Sequence, residues 1–305
     1  MPAPRIALIG YGEVGRILAE DLRAQDLAVT AFDLKLSGAA GDAMRAHARP
    51  HGVLLVASHA EAVRSAGLVI SAVTASQAVP VAATCAPALE RGAFFLDFNS
   101  ASPGAKVHAA GIVDAAGGRY VEGAVMTSLP PYRIKVPLLL GGPHAAAIAP
   151  LLAELGFAAK LHDARLGVAS ATKMCRSVMI KGLEAMVIES FTTARHYGVE
   201  DAVVASLQET FPGIDWEKQA AYFFQRVIEH GRRRSEEVRE VAVTVQEAGL
   251  QPHSAAGTAE RQAWVADLAD AGLFGTRGEP GFARSADWRI EADRILAHLH
   301  PKDAA

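Results

Sequence analysis

The sequence predicts a two-part protein: an α/β domain with a doubly wound, mostly parallel sheet over residues 1–163, then an all-helical domain over residues 164–305. Three observations carry this reading. From Arg5 to Leu161, short apolar runs alternate with longer Ala-rich stretches of helical period, the pattern of successive βα units. After His162 the strand signals stop. The chain's 305 residues are about twice what a single core usually organises, so two domains are expected.

The expected strands run near Ile6–Ile9, Ala28–Phe32, Val53–Val56, Leu68–Ser71, Phe94–Asp97, Arg119–Val121, Pro137–Leu140 and Phe157–Lys160. Segments such as ALIG, GLVISAV and AFFLDF are apolar on both faces, as strands covered on both sides must be. A long helix without proline is expected from Leu166 to about Ser190. Helices near Val199–Thr210, Glu217–Glu229, Arg233–Ala248, Ala256–Ala271 and Ser285–Leu299 follow, with breaks at the turn-forming FPG, AGLQP and GEPG segments.

Half the residues are hydrophobic and 21% are charged, which excludes a disordered chain. The formal charge of −3 without long single-sign blocks gives no reason to expect a nucleic-acid or membrane-surface partner. No apolar run reaches the ~18 residues of a membrane span, and the chain enters an apolar strand with no basic leader, so a cytoplasmic protein is expected. Cys85 and Cys175 lack the spacing of a metal site or a disulfide scaffold, and Cys175 is read as a small core residue. The eleven histidines are not read as ligands, and no metal is expected.

The first strand ends in Gly10-Tyr11-Gly12-Glu13-Val14-Gly15, a GxGxxG that opens a helix. In such a turn the first glycine makes the bend, the second lets backbone approach a pyrophosphate, and the third lets the helix pack close to the strand. The pyrophosphate then meets free N–H groups at the helix N-terminus. Eighteen residues after Gly15, Asp33 closes the second strand, where a carboxylate accepts ribose hydroxyls and repels a 2′-phosphate. The sequence therefore predicts a Rossmann-type domain that prefers NAD to NADP, although Lys35 nearby softens the repulsion.

Further motifs resemble the β-hydroxyacid dehydrogenase family, which includes 3-hydroxyisobutyrate and 6-phosphogluconate dehydrogenases. Asp97-Phe98-Asn99-Ser100 with Pro103 is similar to the family's DxSTxxP stretch. Glu122 to Ser128 stands where the substrate loop usually reads DAPVSGG, and Gly141-Gly142 follows the next strand. Gly167 to Ser177 is similar to GxGxxxKxxxN, which carries the catalytic lysine. The resemblance spans nearly the whole chain and points to the poorly characterised 6-phosphogluconate-dehydrogenase-like branch.

The resemblance implies a hydride transfer between a nicotinamide cofactor and a hydroxyacid-like alcohol. Lys173 would be the general acid/base, with Ser177 in place of the family asparagine. The cofactor set is Gly10, Gly12, Glu13, Val14, Gly15, Asp33, Val73, Thr74 and Asn99, and the substrate set is Met126, Thr127 and Ser128. Met126-Thr127-Ser128 is bulkier than SGG, which leaves room for a larger substrate, and reduction of a C=N bond stays open. So does a dinucleotide-binding sensor without catalysis.

From the residues alone, Lys173, Ser177, Lys181 and Glu184 share one face of an otherwise apolar helix. That stripe either faces a specific site, where desolvation lowers a lysine's pKa toward useful values, or faces solvent with a Lys181–Glu184 pair. Arg232, Arg233 and Arg234 are read mainly as a solvated face paired with Glu236, Glu237 and Glu240, and Arg133 and Lys135 as surface charges. The long apolar helix is expected to join two copies into a homodimer through the helical half.

Overall fold

The structure, a computed structural model, describes residues 4–301. The chain forms two compact units, Met1–Cys175 and Arg176–Ala305.

The first unit is built on β1 (Ile6–Ile9), β2 (Val29–Phe32), β3 (Leu54–Leu55), β4 (Leu68–Ser71), β5 (Phe94–Asp97), β6 (Arg119–Val125), β7 (Leu138–Gly141) and β8 (Ala159–Asp163). They form one sheet in the order β3-β2-β1-β4-β5-β6-β7-β8. Every pairing is parallel except β6 with β7. Helices α1 (Glu13–Arg23), α2 (Gly41–Ala48), α3 (His59–Val63), α4 (Ala78–Cys85), α5 (Pro103–Ala115) and α6 (Ala145–Glu154) connect most of the strands.

Strand side chains alternate between the two faces, and each face has its own core. Ile6, Leu8, Val29, Ala31, Leu68 and Ile70 pack with Leu18 and Leu22 of α1, Met44 of α2, and Ile148 and Leu152 of α6. Ala7, Ile9, Val69 and Phe95 pack instead with Val63 of α3, Val81 and Cys85 of α4, and Ala109 and Val113 of α5. This double coverage is why the strands read as continuous apolar runs.

One strand is more than twice its expected length. β6 runs on to Val125 because antiparallel β7 pairs with its second half, Glu122 opposite Gly141 and Val125 opposite Leu138. Glu122 to Val125, expected in a substrate loop, is therefore strand, and only Met126 onward is loop.

The helix α7 (Val168–Tyr197) contains the boundary between the two units. The second unit continues with α8 (Glu200–Thr210), α9 (Trp216–Glu247), α10 (His253–Asp270) and α11 (Trp288–Leu299), and its described residues form no strand. Its core gathers Ile188, Phe191, Phe224, Val227, Phe274, Trp288 and Ile295. The two helices expected over Glu217–Glu229 and Arg233–Ala248 are one helix. Gly231, between the two expected helices, is buried where a Cβ would lie 2.8 Å from the carbonyl oxygen of Gln262 and 3.3 Å from Ala266. The glycine lets α9 and α10 approach closely rather than ending the helix.

The polar stripe of α7 does not face solvent, since Ser177, Lys181 and Glu184 are all buried. Lys181 donates to Glu237 at 2.6 Å, and Glu184 pairs with Arg234 and accepts from Gln262 at 3.1 Å. The arginine run accordingly divides: Arg232 pairs with Asp267 and Asp270, Arg233 with Glu237, and Arg234 is buried on Glu184. The expected self-paired, solvated face is seen in the Arg233–Glu237 pair, whereas Arg234 is buried.

Candidate active site

Parallel α/β sheets bind ligands beyond the carboxyl ends of their strands, where the strand order reverses. Here that point lies between β1 and β4. Gly10 has φ +97° and a Cβ there would run into the backbone of Ala72, so only glycine fits. A Cβ on Gly15 would strike the carbonyl of Gly10, which fixes how closely α1 packs on β1. A Cβ on Gly12 would meet nothing within 4 Å. Gly12 is exposed at the N-cap of α1, no side chain caps the helix, and Glu13 and Val14 open its first turn. An open glycine before an uncapped helix end suits a pyrophosphate.

Asp33, after β2, is half-buried, and its carboxylate accepts the N–H of Tyr11 at 2.8 Å and that of Lys35 at 2.8 Å. It thus joins the end of β2 to the Gly-rich turn. Each oxygen keeps a lone pair for a further donor.

Val73 and Thr74 follow β4, and Asn99 follows β5. Asn99 Oδ1 accepts the N–H of Val73 at 2.7 Å, and its Nδ2 donates to Ser71 Oγ at 3.0 Å. Beneath it lies a group that sequence reading did not single out. Lys106 is 1% exposed on α5, its Nζ 3.0 Å from Asp97 Oδ1. Tyr120 donates its hydroxyl to Asp97 Oδ2 at 2.7 Å, and Asp97 Oδ1 accepts the N–H of Asn99 at 2.8 Å. Burial first, and then the Asp97 charge, push the Tyr120 hydroxyl well above its ordinary pKa, so it stays a donor. A lysine nine residues from an aspartate carries no periodic signal in the sequence; β5 and α5 bring them together.

Lys173, on the second turn of α7, donates to Ser100 Oγ at 2.6 Å. Glu122 is fully buried in the middle of β6, opposite Asp97 at the end of β5, and its carboxylate accepts the N–H groups of Gly167, at 2.8 Å, and Ser170. It caps the start of the helix that carries Lys173. Ser177 lies one turn further along α7, in the second unit.

Met126 is held by its N–H to the carbonyl of Pro137 at 2.9 Å, Thr127 is exposed and Ser128 half-buried. Arg133, read as a surface charge, is partly exposed and pairs with Glu20 at 2.6 Å and Asp21 at 2.7 Å on α1. Cys175, expected in the core, is exposed, because the turn of α7 after Lys173 turns it away from buried Met174.

Residues 5–153 match the NAD-binding domain of 6-phosphogluconate dehydrogenase, and residues 194–265 match a domain of unknown function, DUF1932. The fold and its turn thus define an NAD(P)-binding protein of the Rossmann class. A conserved hypothetical protein from Sinorhizobium meliloti 1021 is 38% identical, with a TM-score of 0.73 over 96% of this chain and 97% of that one. A conserved protein described as structurally similar to 3-hydroxyacid dehydrogenases is 26% identical, with a TM-score of 0.67 over 87% of this chain and 99% of that one. At 16% identity, the Mycobacterium tuberculosis 3-hydroxyisobutyrate dehydrogenase, solved with L-serine, shares the fold with a TM-score of 0.66 over 96% and 99% of the two chains. A reductive aminase from Aspergillus terreus with NADPH, 17% identical, shares it at 0.53 over 95% and 99%. The chain belongs to one family with the Sinorhizobium meliloti protein, and it joins the NAD-binding domain of 6-phosphogluconate dehydrogenase to a DUF1932 domain.

Proposed function

We propose that this protein is an NAD-dependent dehydrogenase that moves a hydride between the nicotinamide and a hydroxyacid-like alcohol, with Lys173 as general acid/base. The observation that carries the reading is the 2.6 Å hydrogen bond from Lys173 to Ser100, next to Asn99 on the loop after β5. When bound, the nicotinamide supplies the hydride acceptor or donor. Gly10, Gly12 and Gly15 shape the turn that admits the pyrophosphate, and Glu13 and Val14 present the first N–H groups of α1 to it. Asp33 accepts the ribose hydroxyls, which favours NAD over NADP. Val73, Thr74 and Asn99 line the nicotinamide end. Lys173 takes the alcohol proton or returns it, Ser100 orients its amine, Ser177 stands one helical turn later in the place of the family asparagine, and Met126, Thr127 and Ser128 face the rest of the substrate.

Lys173→Met removes the amine and keeps an unbranched helix-compatible side chain. With a substrate found by screening hydroxyacids, diols and imines for NADH absorbance change, turnover is expected to fall about 10²- to 10⁴-fold with unchanged NAD affinity. Lys181→Met is the control, since Lys181 is engaged by Glu237. Near-normal turnover in Lys173→Met sinks the assignment, and turnover of imines alone moves the protein to C=N reduction.

A further inference from the structure

Three side chains from three segments of the first unit converge outside the proposed active site. Glu20 lies on the third turn of α1, His47 on the last turn of α2, and His51 in the turn that follows. The sequence does contain this His47-x-x-x-His51 pair, but the spacing alone does not reveal it as a site, because Pro50 and the end of α2 intervene. A Glu20 carboxylate oxygen and one ring nitrogen from each histidine all lie within 4.8 Å of one another.

The surroundings of these atoms are ordered. His47 Nε2 is 2.9 Å from Glu20 Oε1, and its Nδ1 is 3.0 Å from the hydroxyl of Tyr11. The other carboxylate oxygen, Glu20 Oε2, accepts from Arg133 at 2.6 Å, so Oε1 is turned toward the histidines. Asp21 shares the charge of Arg133 at 2.7 Å. Arg23 donates to the carbonyl of His51 at 3.1 Å and so fixes the turn that presents the ring. The rings of His47 and His51 lie 4.8 Å apart.

We propose that Glu20, His47 and His51 bind a divalent transition metal of the zinc type. Two imidazoles and one carboxylate are the donors zinc accepts, whereas calcium and magnesium demand more oxygen ligands. Bonds of about 2.0–2.1 Å in a tetrahedral site put neighbouring ligand atoms about 3.3 Å apart. The 2.9 Å between Glu20 and His47 therefore has to open by only a few tenths of an ångström. On binding, His47 Nε2 gives up its hydrogen bond to Glu20, and Nδ1–H donates to Tyr11 Oη, the outer contact that metal-bound histidines usually make. Arg133 does the same for Glu20. His51 is exposed, which leaves the fourth position to water. Tyr11 belongs to the Gly-rich turn, and its N–H is held by Asp33, so the metal would tie α1 and α2 together behind that turn.

The test uses the full chain stripped with chelator and is read without activity. Titration with Co²⁺ is expected to give visible d–d absorption that saturates at one ion per chain and is abolished by one equivalent of Zn²⁺. Exposed His51 can be changed without risk to folding, and His51→Ala should weaken Co²⁺ affinity at least tenfold, as should His47→Ala. Zn²⁺, but not Mg²⁺ or Ca²⁺, should raise the thermal midpoint of the unsubstituted protein and leave that of His51→Ala unmoved. Absence of the visible band overturns the proposal. So does a band that survives in His51→Ala with unchanged affinity; His300→Ala is the control for the other stacked histidines, His196 and His300, whose rings lie 5.2 Å apart, and should leave the band unchanged.

Discussion

Glu122 is fully buried and caps a helix 45 residues further along the chain, so its removal should be felt at the start of α7 and nowhere else first. Its two oxygens accept the N–H groups of Gly167 and Ser170. A hydrogen bond to a charged group contributes about 1.5–3 kcal/mol net, and a buried donor left without a partner costs about 1–3 kcal/mol. Glu122→Ala removes two such bonds at once while relieving the desolvation of a carboxylate, so a loss of about 3–5 kcal/mol is expected. Glu122→Gln keeps one accepting oxygen and turns an NH₂ group toward the second N–H, so about 1–3 kcal/mol is expected. The carboxylate fits because residue 141 is glycine, where a Cβ would lie 2.6 Å from Glu122 Oε2. Tryptophan fluorescence cannot read the event, because Trp216, Trp264 and Trp288 all belong to the second unit. Urea unfolding followed by circular dichroism, with hydrogen exchange of the 166–173 segment, can. Exchange of the Gly167 and Ser170 amides should rise in both variants, more in Ala than in Gln, and turnover should fall because Lys173 stands on the capped turns. A Glu122→Ala protein within about 1 kcal/mol of the parent, with amide protection unchanged, refutes the capping argument.

Asp33→Ala should lose NAD affinity and narrow the preference over NADP, read by calorimetric titration with both cofactors; an unchanged ratio would remove Asp33 from the ribose site. In unit two, burial holds the Lys181 ammonium below the ordinary lysine pKa of 10.5, against the opposing pull of Glu237. The native state then sheds this proton before the unfolded chain does, so unfolding free energy should rise with pH between the lowered pKa and 10.5. Lys181→Met should lack that rise, and urea titrations of both proteins across the alkaline range that show no difference in slope count against it. Finally, α7 leaves Met179, Ile180 and Met186 exposed, and we expect a second copy to cover them. Light scattering at micromolar concentration should give twice the chain mass, whereas a monomer would defeat this expectation.

By itself the sequence determined the elements whose signals are local. The eight strands, the Gly-rich turn and the long helix follow from apolar runs, periodicity and turn chemistry within a few residues, and Asp33 follows from its fixed distance to the turn. Element ends were less legible. β6 is lengthened by a partner strand, and α9 runs through Gly231 because α10 packs against it, and neither influence is written in the neighbouring residues. The same holds for the groups around the candidate site. Lys106 beneath Asp97, Ser100 on Lys173, Glu122 on the start of α7 and Glu20 beside His47 are each set by contacts between segments distant in sequence or by the angle of a helix on the sheet. Hydrophobic period records which face of an element is buried. Which polar group meets which inside that burial is decided only when the elements pack, because each buried donor or charge must find a partner in three dimensions.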